Sequence, residues 1–310
     1  NKVLELLSLD PPQCVADLLF IDGIGKKKIE SFGKDLLRIC NGYKSENKLT
    51  LREPNEIPDS IQLSEKQKEV IDLCDQGSNI FISGPGGCGK SFLIKLLVDR
   101  YKDCKRIQVT ALTGVAAELL GCSAKTIHSW SQVGIIKGSS ESMIEKITTH
   151  KKAIKTWKRI DLLIIDEISM MSLKLFEILD KIGKIIRNND KPFGGIQLIF
   201  SGDFYQLPPV GDDNDLSTSQ FCFESPLWNQ TFTTIIILDH IFRQVDPIYL
   251  KILRQIRRGG ISKKMEHVLS TRIITNENKA DFDLTCNPTI IYPLKYLVEQ
   301  MNLLLSLLYL

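Results

Sequence analysis

A glycine-rich stretch between two apolar segments constrains the fold of this chain more than any other feature of its sequence. The apolar run at residues 79–83 predicts a buried strand, and the apolar run at residues 92–98 predicts a helix. A glycine-rich turn that ends in Gly-Lys-Ser between a strand and a helix is the arrangement of a P-loop. The turn consists of Gly84, Pro85, Gly86, Gly87, Cys88, Gly89, Lys90 and Ser91.

These residue types suit the binding of a nucleoside triphosphate. Glycines let consecutive backbone N–H groups point at one phosphate without Cβ clashes, and the helix N-terminus adds a favourable dipole. Lys90 is expected to reach the β- and γ-phosphates, Ser91 to bind Mg²⁺, and Cys88 to act as a small filler. All eight residues are therefore predicted to bind ATP, because an accidental glycine-rich turn would not explain the strand and the helix around it.

Composition limits the classes of protein that remain. A chain of 310 residues with 43% hydrophobic and 25% charged residues is typical of a globular protein with one large domain or a few small ones. A net charge of +3 is too small to indicate nucleic-acid binding by itself, so any basic surface must be local. The eight cysteines show no Cys-x-x-Cys pair, which predicts reduced thiols in an intracellular compartment and argues against a structural zinc. The apolar run at residues 303–310 is too short to cross a membrane.

The N-terminal part of the sequence is a separate unit. Residues 1–43 predict a small helical domain, and residues 44–60, rich in Lys, Glu, Asn, Pro and Ser, predict a polar linker. The helical segment contains an Asp-Gly-Ile-Gly hairpin followed by three lysines, and it resembles the C-terminal half of an HRDC domain, an accessory module of helicases and RNase D. Contact of this hairpin with a DNA phosphate and simple packing without a ligand are equal alternatives.

Two segments after the P-loop carry short polar side chains of the kind that bind phosphates. A predicted strand at residues 106–111 leads into the first segment, and ligands of parallel sheets bind where the strands end. Taken singly, His128 is better explained as a structural histidine and Trp130 as a core aromatic residue. The candidates for phosphate contact are Thr113, Gly114, Thr126, His128 and Ser129.

Two further strands are predicted to deliver catalytic side chains to the same edge of the sheet. Residues 162–165 are apolar and precede Asp166 and Glu167, which is the pattern of a buried parallel strand that ends in two carboxylates. Asp166 is expected to hold Mg²⁺ and Glu167 to polarise the attacking water, which favours hydrolysis of ATP over binding alone. Gln206, which follows another apolar run, is expected to sense the γ-phosphate.

Two weaker signals accompany these motifs. Ser64 suits the N-cap of a helix that contains Gln67, and Gln67 is a candidate for a hydrogen bond to the edge of adenine, although a lone Gln is more often a solvated helix residue. Residues 131–160 are basic and weakly patterned, and a charge run of this kind usually forms a solvated face.

The order of the motifs resembles that of the Pif-one family, superfamily 1B DNA helicases related to RecD and Dda. The resemblance covers about residues 60–260 and includes the family's own signature at residues 176–195 and its fourth motif at residues 238–244. The other segments that carry it are Gln67, the P-loop, Thr113-Gly114, residues 126–129, 166–170 and 202–209.

The resemblance implies an α/β fold in which helices flank a P-loop RecA-like parallel sheet. It places the first RecA-like domain at residues 61–235 and an incomplete second one at residues 236–310, preceded by the small all-α HRDC-like unit. It also implies that Arg243 comes from the second domain and contacts the γ-phosphate as an arginine finger, a role that suits its fixed charge. The family's later motifs are absent, so we expect a truncated chain that cannot translocate alone.

The activity implied by the resemblance is that of an ATP-dependent DNA helicase that moves 5′ to 3′ on single-stranded DNA. Its expected cofactors are ATP and Mg²⁺. Its expected partners are single-stranded DNA, contacted by the phosphate-binding candidates between Thr113 and Ser129, and duplex or structured DNA. We expect a monomer without membrane attachment that serves repair, recombination and telomere maintenance. The expected compartment is the nucleus or the mitochondrion of a eukaryote, or otherwise the cytoplasm or a viral factory.

Two other functions are consistent with parts of the sequence. One is an ATP- and DNA-binding module without motor activity. The other is a P-loop signalling ATPase with a protein client, which has no motif support beyond the two nucleotide-binding motifs.

Overall fold

A parallel β-sheet organises the chain. The computed structural model describes residues 31–32, 53–134, 139–212, 214–274 and 290–308. The predicted HRDC-like unit therefore lies outside the described residues except for Ser31 and Phe32, and so does most of the predicted linker. Six strands of the described part form one sheet in the order β3-β2-β4-β5-β1-β6, and all five pairings between neighbours are parallel. The strands are β1 (Ile80–Ser83), β2 (Ile107–Ala111), β3 (Lys125–Thr126), β4 (Leu162–Asp166), β5 (Gln197–Gly202) and β6 (Thr234–Ile237).

Helices cover both faces of this sheet. Every residue of β4 and β5 is buried, because strands covered on both faces need apolar side chains in both directions. Ile164 packs into one core and Ile165 into the other, as expected when successive side chains point to opposite faces. The helices of the first layer are α1 (Glu65–Asp75), α2 (Lys90–Tyr101) and α3 (Gly114–Leu120). Those of the second layer are α4 (Ile127–Ser131), α5 (Ser140–Thr149), α6 (Lys151–Arg159), α7 (Leu173–Arg187) and α8 (Leu227–Thr231).

Local sequence explains where most of these helices begin. The hydroxyl of Ser64 accepts a hydrogen bond from the backbone N–H of Gln67 at the start of α1, and the Gln67 side chain accepts one from the Ser64 N–H. This reciprocal capping box confirms the predicted N-cap. Helices α3, α4 and α7 have simpler caps, in which the hydroxyl of Thr113, Thr126 or Ser172 accepts a hydrogen bond from a backbone N–H of the first turn.

The basic stretch at residues 131–160 forms regular helices, although its weak pattern did not predict them. It contains α5 and α6, and α6 buries Ala153 and Trp157 completely in the second-layer core. The basic residues of α6 lie on its outer side, so the predicted solvated face forms one side of an anchored helix.

The chain divides into two compact units after Leu250. The second unit, Lys251–Leu310, contains most of α9 (Pro247–Arg257) together with α10 (Lys263–Ser270) and α11 (Lys295–Leu308), and it buries Ile252 and Met265. The predicted boundary between residues 235 and 236 falls inside β6, and the four predicted domain ranges remain predictions. Among the described helices, none is both long and apolar enough to span a bilayer.

Candidate nucleotide-binding site

The P-loop has the backbone geometry that a phosphate cradle requires. Gly84 follows the last residue of β1, and α2 begins at Lys90. Gly87 and Gly89 have φ angles of 82° and 89°, which side chains rarely tolerate. A Cβ atom on Gly87 would lie 2.7 Å from the Cβ of Arg243, and one on Gly89 would lie 2.9 Å from the Nε2 atom of Gln67. Glycine is therefore required at both positions by backbone angle and by close contact.

The Lys90 side chain folds over the loop that precedes it. Its ammonium group donates hydrogen bonds to the carbonyl oxygens of Gly84, at 2.7 Å, and Pro85, at 3.1 Å, and lies 3.8 Å from the sulfur of Cys88. Cys88 is buried and fills the base of the loop, as predicted. The ammonium group thus lies beside the peptide groups of the P-loop, from where it can exchange carbonyl oxygens for phosphate oxygens.

Two carboxylates at the end of β4 lie close to Lys90. Asp166 is 4% exposed, and burial raises the pKa of its carboxyl, while Ser201 and the charge of Lys90 oppose this rise. Burial also raises the pKa of Glu167, as do the charges of Asp166 and Asp203, and Lys90 again acts in the opposite direction. The effect of Lys90 on both carboxyl groups shows that the loops after β1 and β4 bring their charged groups together, as the sequence predicts.

Glu167 has an unusual backbone conformation. Its φ and ψ angles are 55° and 42°, in the left-handed region that non-glycine residues rarely occupy. Such strain persists only where the surroundings impose it, and it is concentrated at functional sites. It turns the chain sharply after β4, so that two adjacent carboxylates both remain at this edge of the sheet.

The residues around Asp166 suit a magnesium ion that also binds phosphate oxygens. In the described part of the chain no three His, Cys, Asp or Glu residues form a metal cage, and magnesium in nucleotide sites needs only one or two carboxylates. The fully buried Ser201 hydroxyl has no partner in hydrogen-bonding geometry among the described residues, although it is close enough to Asp166 to lower its pKa. With the exposed Ser91 hydroxyl, Asp166 and Ser201 form a set of oxygen donors that fits this ion.

The loop after β5 presents Gln206 at the same edge. The backbone N–H of Gln206 donates to the carbonyl oxygen of Asp203 at 2.8 Å, and its side-chain amide approaches the Asp203 carboxylate at 3.5 Å. Asp203 is 1% exposed, and it also accepts a bond from the N–H of Tyr205. Sequence reasoning assigned a role to Gln206 and none to Asp203, although the Gly-Asp-x-x-Gln spacing places an acceptor three residues before the Gln.

The fourth-motif segment lies against the P-loop. The N–H of Leu238 donates to the carbonyl oxygen of Ser83, and the N–H of Phe242 donates to that of Gly87, both at 2.8 Å. Arg243 is exposed, with its Cβ next to Gly87. The structure therefore places Arg243 in the first compact unit and beside the predicted phosphate-binding loop.

Helix α1 supports the site from the other side. Gln67 is 2% exposed; its Oε1 atom accepts the capping bond from Ser64, and its Nε2 atom faces Gly89. Lys66 donates to the carbonyl oxygen of Ile237 and to the carboxylate of Asp239, both at 2.8 Å. Sequence reasoning missed Lys66 and Asp239, because nothing local indicates a pair separated by more than 170 residues.

The predicted phosphate-contact residues divide into two groups. Thr126, His128 and Ser129 line a cavity of about 700 Å³ together with Pro209 and Val210 from the loop after β5. Thr113 and Gly114 do not line this cavity and lie at the start of α3. The cavity residues are Leu112, Thr126, His128, Ser129, Gly134, Met170, Ser172, Leu175, Pro209, Val210, Gly211, Asp212 and Thr218.

Two of these hydroxyls act as helix caps and so accept hydrogen bonds, which leaves their own O–H groups able to donate. The Thr113 hydroxyl accepts a bond from the N–H of Ala116, and the Thr126 hydroxyl accepts one from that of Ser129, each at 3.2 Å. Burial lowers the pKa of His128, so its imidazole is neutral at pH 7. Trp130 is 4% exposed and packs on Trp157, which confirms it as a core residue.

Comparison with known proteins agrees with this geometry. The profile of the family described as PIF1-like helicase matches residues 62–266. The ATP-dependent DNA helicase PIF1 of Saccharomyces cerevisiae is 40% identical over 210 residues, which are 66% of this chain and 24% of the yeast protein.

Two solved structures are similar in fold and sequence. The Pif1 helicase of Candida albicans has a TM-score of 0.66 and 37% identity, covering 78% of this chain and 53% of that one. Bacteroides Pif1 bound to single-stranded DNA has a TM-score of 0.65 and 27% identity, covering 78% and 56%. The chain thus spans a quarter of the yeast relative and about half of each solved structure, and its motifs, its RecA-like sheet and these matches together show that it belongs to the PIF1-like helicase family.

Proposed function

We propose that this chain is the nucleotide-binding part of an ATP-dependent DNA helicase that moves 5′ to 3′ on single-stranded DNA. The observation that carries the proposal is the convergence of three loops at one edge of the sheet. Lys90 lies in the loop after β1, Asp166 and Glu167 lie at the end of β4, and Gln206 lies in the loop after β5. The charge of Lys90 acts against the burial-driven rise in the pKa of both carboxyl groups, so the first two loops lie close together. Family membership supports the same function.

Each side chain has a role in hydrolysis that its position supports. Backbone N–H groups of residues 86–89 and the ammonium group of Lys90 bind the phosphates, and the side-chain amide of Gln67, whose Nε2 atom faces Gly89, binds the edge of adenine. Ser91 and Asp166 would hold Mg²⁺, which neutralises charge on the β- and γ-phosphate oxygens.

Three residues act on the γ-phosphate. Glu167 orients and deprotonates the attacking water, since its carboxylate lies at the phosphate edge and is partly shielded from solvent. Gln206, held by Asp203, senses the γ-phosphate, and the guanidinium of Arg243 stabilises the charge that develops on it.

Single-stranded DNA is the second ligand in this proposal. The cavity lined by Thr126, His128 and Ser129 has a volume of about 700 Å³ and offers hydroxyl and imidazole groups to a sugar-phosphate chain. The lowered pKa of His128 favours hydrogen bonding to phosphate or sugar over ion pairing. Thr113 and Gly114 would extend the contact along the same sheet edge. We propose that the whole protein acts as a monomer on duplex or structured DNA and serves repair, recombination and telomere maintenance. Its proposed compartment is the nucleus or the mitochondrion of a eukaryote, or otherwise the cytoplasm or a viral factory.

The rate of ATP hydrolysis with and without single-stranded DNA tests the proposal. We expect DNA to stimulate the rate of this chain and Glu167→Gln to abolish it, while Glu145→Gln, an exposed change of the same type on α5, leaves it unchanged. Equal loss in both variants would contradict the role of Glu167. A negligible rate combined with intact binding of ATP and DNA would instead favour the module without motor activity.

A further inference from the structure

Helix α6 carries an unusual concentration of positive charge. Its nine residues include four lysines and one arginine and no acidic residue, whereas the whole chain has a net charge of only +3, so the rest of the chain is net negative. Lys151, Lys155 and Lys158 follow the i, i+4, i+7 spacing of one helix face, and they extend over about 10 Å at the helical rise of about 1.5 Å per residue.

These lysines form no ion pair within the described residues. Lys151, Lys152 and Lys158 are exposed and Lys155 is half-buried, and no carboxylate is bonded to any of the four. The first acidic residue after the helix, Asp161, is held by two 2.9 Å bonds from the guanidinium group of Arg106. The positive charge of these four lysines is therefore not compensated by an ion pair with any described residue.

The start of α6 contradicts the usual placement of charge on helices. Lys151 and Lys152 occupy the first turn, where the helix dipole is positive and acidic residues are favoured. His150, at the N-cap position, provides no side-chain hydrogen bond to the free N–H groups of this turn. Two cations next to unpaired N–H donors are unfavourable without an anion, and departures from local rules of this kind are concentrated at functional sites.

The helix is nevertheless fixed firmly in the fold. Trp157 is fully buried, its ring centroid lies 4.8 Å from that of Trp130, and its N–H donates to the carbonyl oxygen of Ser131. At the other end, the guanidinium group of Arg187 donates to the carbonyl oxygens of Trp157, Lys158 and Ile160. The contacts of Trp157 with α4 and of Arg187 with the end of α6 thus hold the lysine face in one orientation, on the side of the helix that points away from α4.

We propose that the exposed face of α6 binds the phosphate backbone of duplex DNA. The proposal rests on the proposed function and adds a second DNA-binding surface, separate from the single-strand cavity, to which α6 contributes no residue. Proteins that bind single strands stack the bases on aromatic side chains, but the only aromatic residue of α6, Trp157, is fully buried. A face with lysines and no exposed aromatic ring suits duplex DNA, because a duplex presents its phosphates to a protein while its bases stay stacked inside. B-DNA has one phosphate charge per about 1.7 Å of its axis.

Salt-dependent binding of the unaltered chain and a triple variant tests this proposal. Affinity for a blunt duplex and for a single strand of the same length is measured by fluorescence anisotropy without nucleotide, over a range of salt concentrations. In the variant Lys151→Gln/Lys155→Gln/Lys158→Gln, we expect the duplex salt slope to fall by about 2.7, at about 0.9 per phosphate contact, and the single-strand slope to stay unchanged. When the salt concentration rises fourfold, both proteins lose affinity for the duplex. The loss of the unaltered chain would then be about 40-fold larger than the loss of the variant.

A matched control removes the same charge from the opposite layer. The variant Lys68→Gln/Lys95→Gln/Lys102→Gln changes one lysine of α1, one of α2 and the residue that follows α2. Lys95 is exposed, and Lys68 and Lys102 form only exposed pairs with Glu65 and Asp99. We expect its duplex slope to match that of the unaltered chain. Conversion of the three α6 lysines to Arg, which keeps the charge, should also retain the slope and shows that the helix surface tolerates substitution.

Three outcomes would overturn the proposal. They are equal duplex slopes for the α6 and control variants, equal losses for duplex and single strand in the α6 variant, and no duplex binding by the unaltered chain. In each case, stimulation of ATP hydrolysis by single-stranded DNA remains a separate measurement of the proposed function, so failure of one proposal is distinguishable from failure of the other.

Discussion

At the scale of single residues, the site depends on positions where only one residue type fits. Gly87 has a positive φ angle and touches Arg243, whereas Gly86, one residue earlier, has no atom within 4 Å of the position its Cβ would occupy. Glu167 has a left-handed backbone without being glycine. Glu167 and Gly87 both lie in loops at the carboxyl ends of parallel strands. Ligands bind at this edge in this class of sheet.

We expect Gly87→Ala to destabilise the fold by about 1–3 kcal/mol, because the added Cβ meets Arg243 at 2.7 Å and because alanine is disfavoured at a φ of 82°. Thermal or urea denaturation without nucleotide measures this difference. Gly86→Ala is the control, and we expect a change within about 0.5 kcal/mol. Equal destabilisation by the two substitutions would show that the close approach of the fourth-motif segment has no energetic consequence.

At the scale of elements, the signature segment at residues 176–195 joins two helices. Gly183 of α7 and Gly194 are in backbone contact, since a Cβ on Gly194 would lie 2.3 Å from the carbonyl oxygen of Gly183. The Asp180 carboxylate accepts a bond from the N–H of Phe193, and Arg187 donates to the carbonyl oxygen of Gly194 as well as to the end of α6. None of these contacts involves the nucleotide site. The signature segment therefore has a structural role here, which is to fix the position of α6 against α7.

Removal of the Arg187 guanidinium group tests whether these contacts stabilise the fold. We expect Arg187→Met to destabilise the protein by about 2–4 kcal/mol, because several partly buried carbonyl oxygens lose a charged donor. Chemical denaturation provides the measurement. The control, Lys181→Met, changes an exposed cation on the same helix, and we expect a change within about 0.5 kcal/mol. Stability equal to that of the control would show that water replaces the guanidinium at no cost.

At the scale of the whole molecule, a polar cluster at the surface joins the chain before the sheet to α1 and α2. Arg100 donates to both oxygens of the Asp75 carboxylate and to the carbonyl oxygen of Asn55, and Tyr101 donates to Asp75. Burial alone would raise the pKa of the Asp75 carboxyl, but the hydrogen bonds from Arg100 and Tyr101 outweigh it and lower the pKa below 3.8.

The lowered pKa of Asp75 predicts how stability depends on pH. Its stabilising contribution is complete above the unfolded value of 3.8 and is lost as the pH falls through the lower folded value. We therefore expect Asp75→Asn to lower stability at pH 7 by about 1–2 kcal/mol and to reduce the further loss below pH 4. Denaturation curves between pH 7 and pH 3 check this, with the exposed Asp72→Asn as control. An unchanged acid dependence in Asp75→Asn would contradict the assignment.

The nucleotide site was predictable because its signals are local. A buried strand, a glycine turn and a helix start occupy consecutive residues around Lys90, and the apolar run before Asp166 leads directly to the two carboxylates. The ends of α7 are also set by local signals, since Ser172 caps its start and Asn188 ends it in a left-handed conformation. Such signals need no knowledge of the rest of the fold.

The sequence by itself thus determined the P-loop, the acid-bearing strand, the parallel α/β class and the family. Only the tertiary structure decided which distant groups meet: Lys66 with Asp239, Phe242 with Gly87, and Arg187 with the end of α6. It also decided that a weakly patterned basic stretch forms a helix anchored by Trp157. The physical reason is that strands, caps and glycine turns depend on neighbouring residues, whereas contacts between separate segments depend on the path of the whole chain.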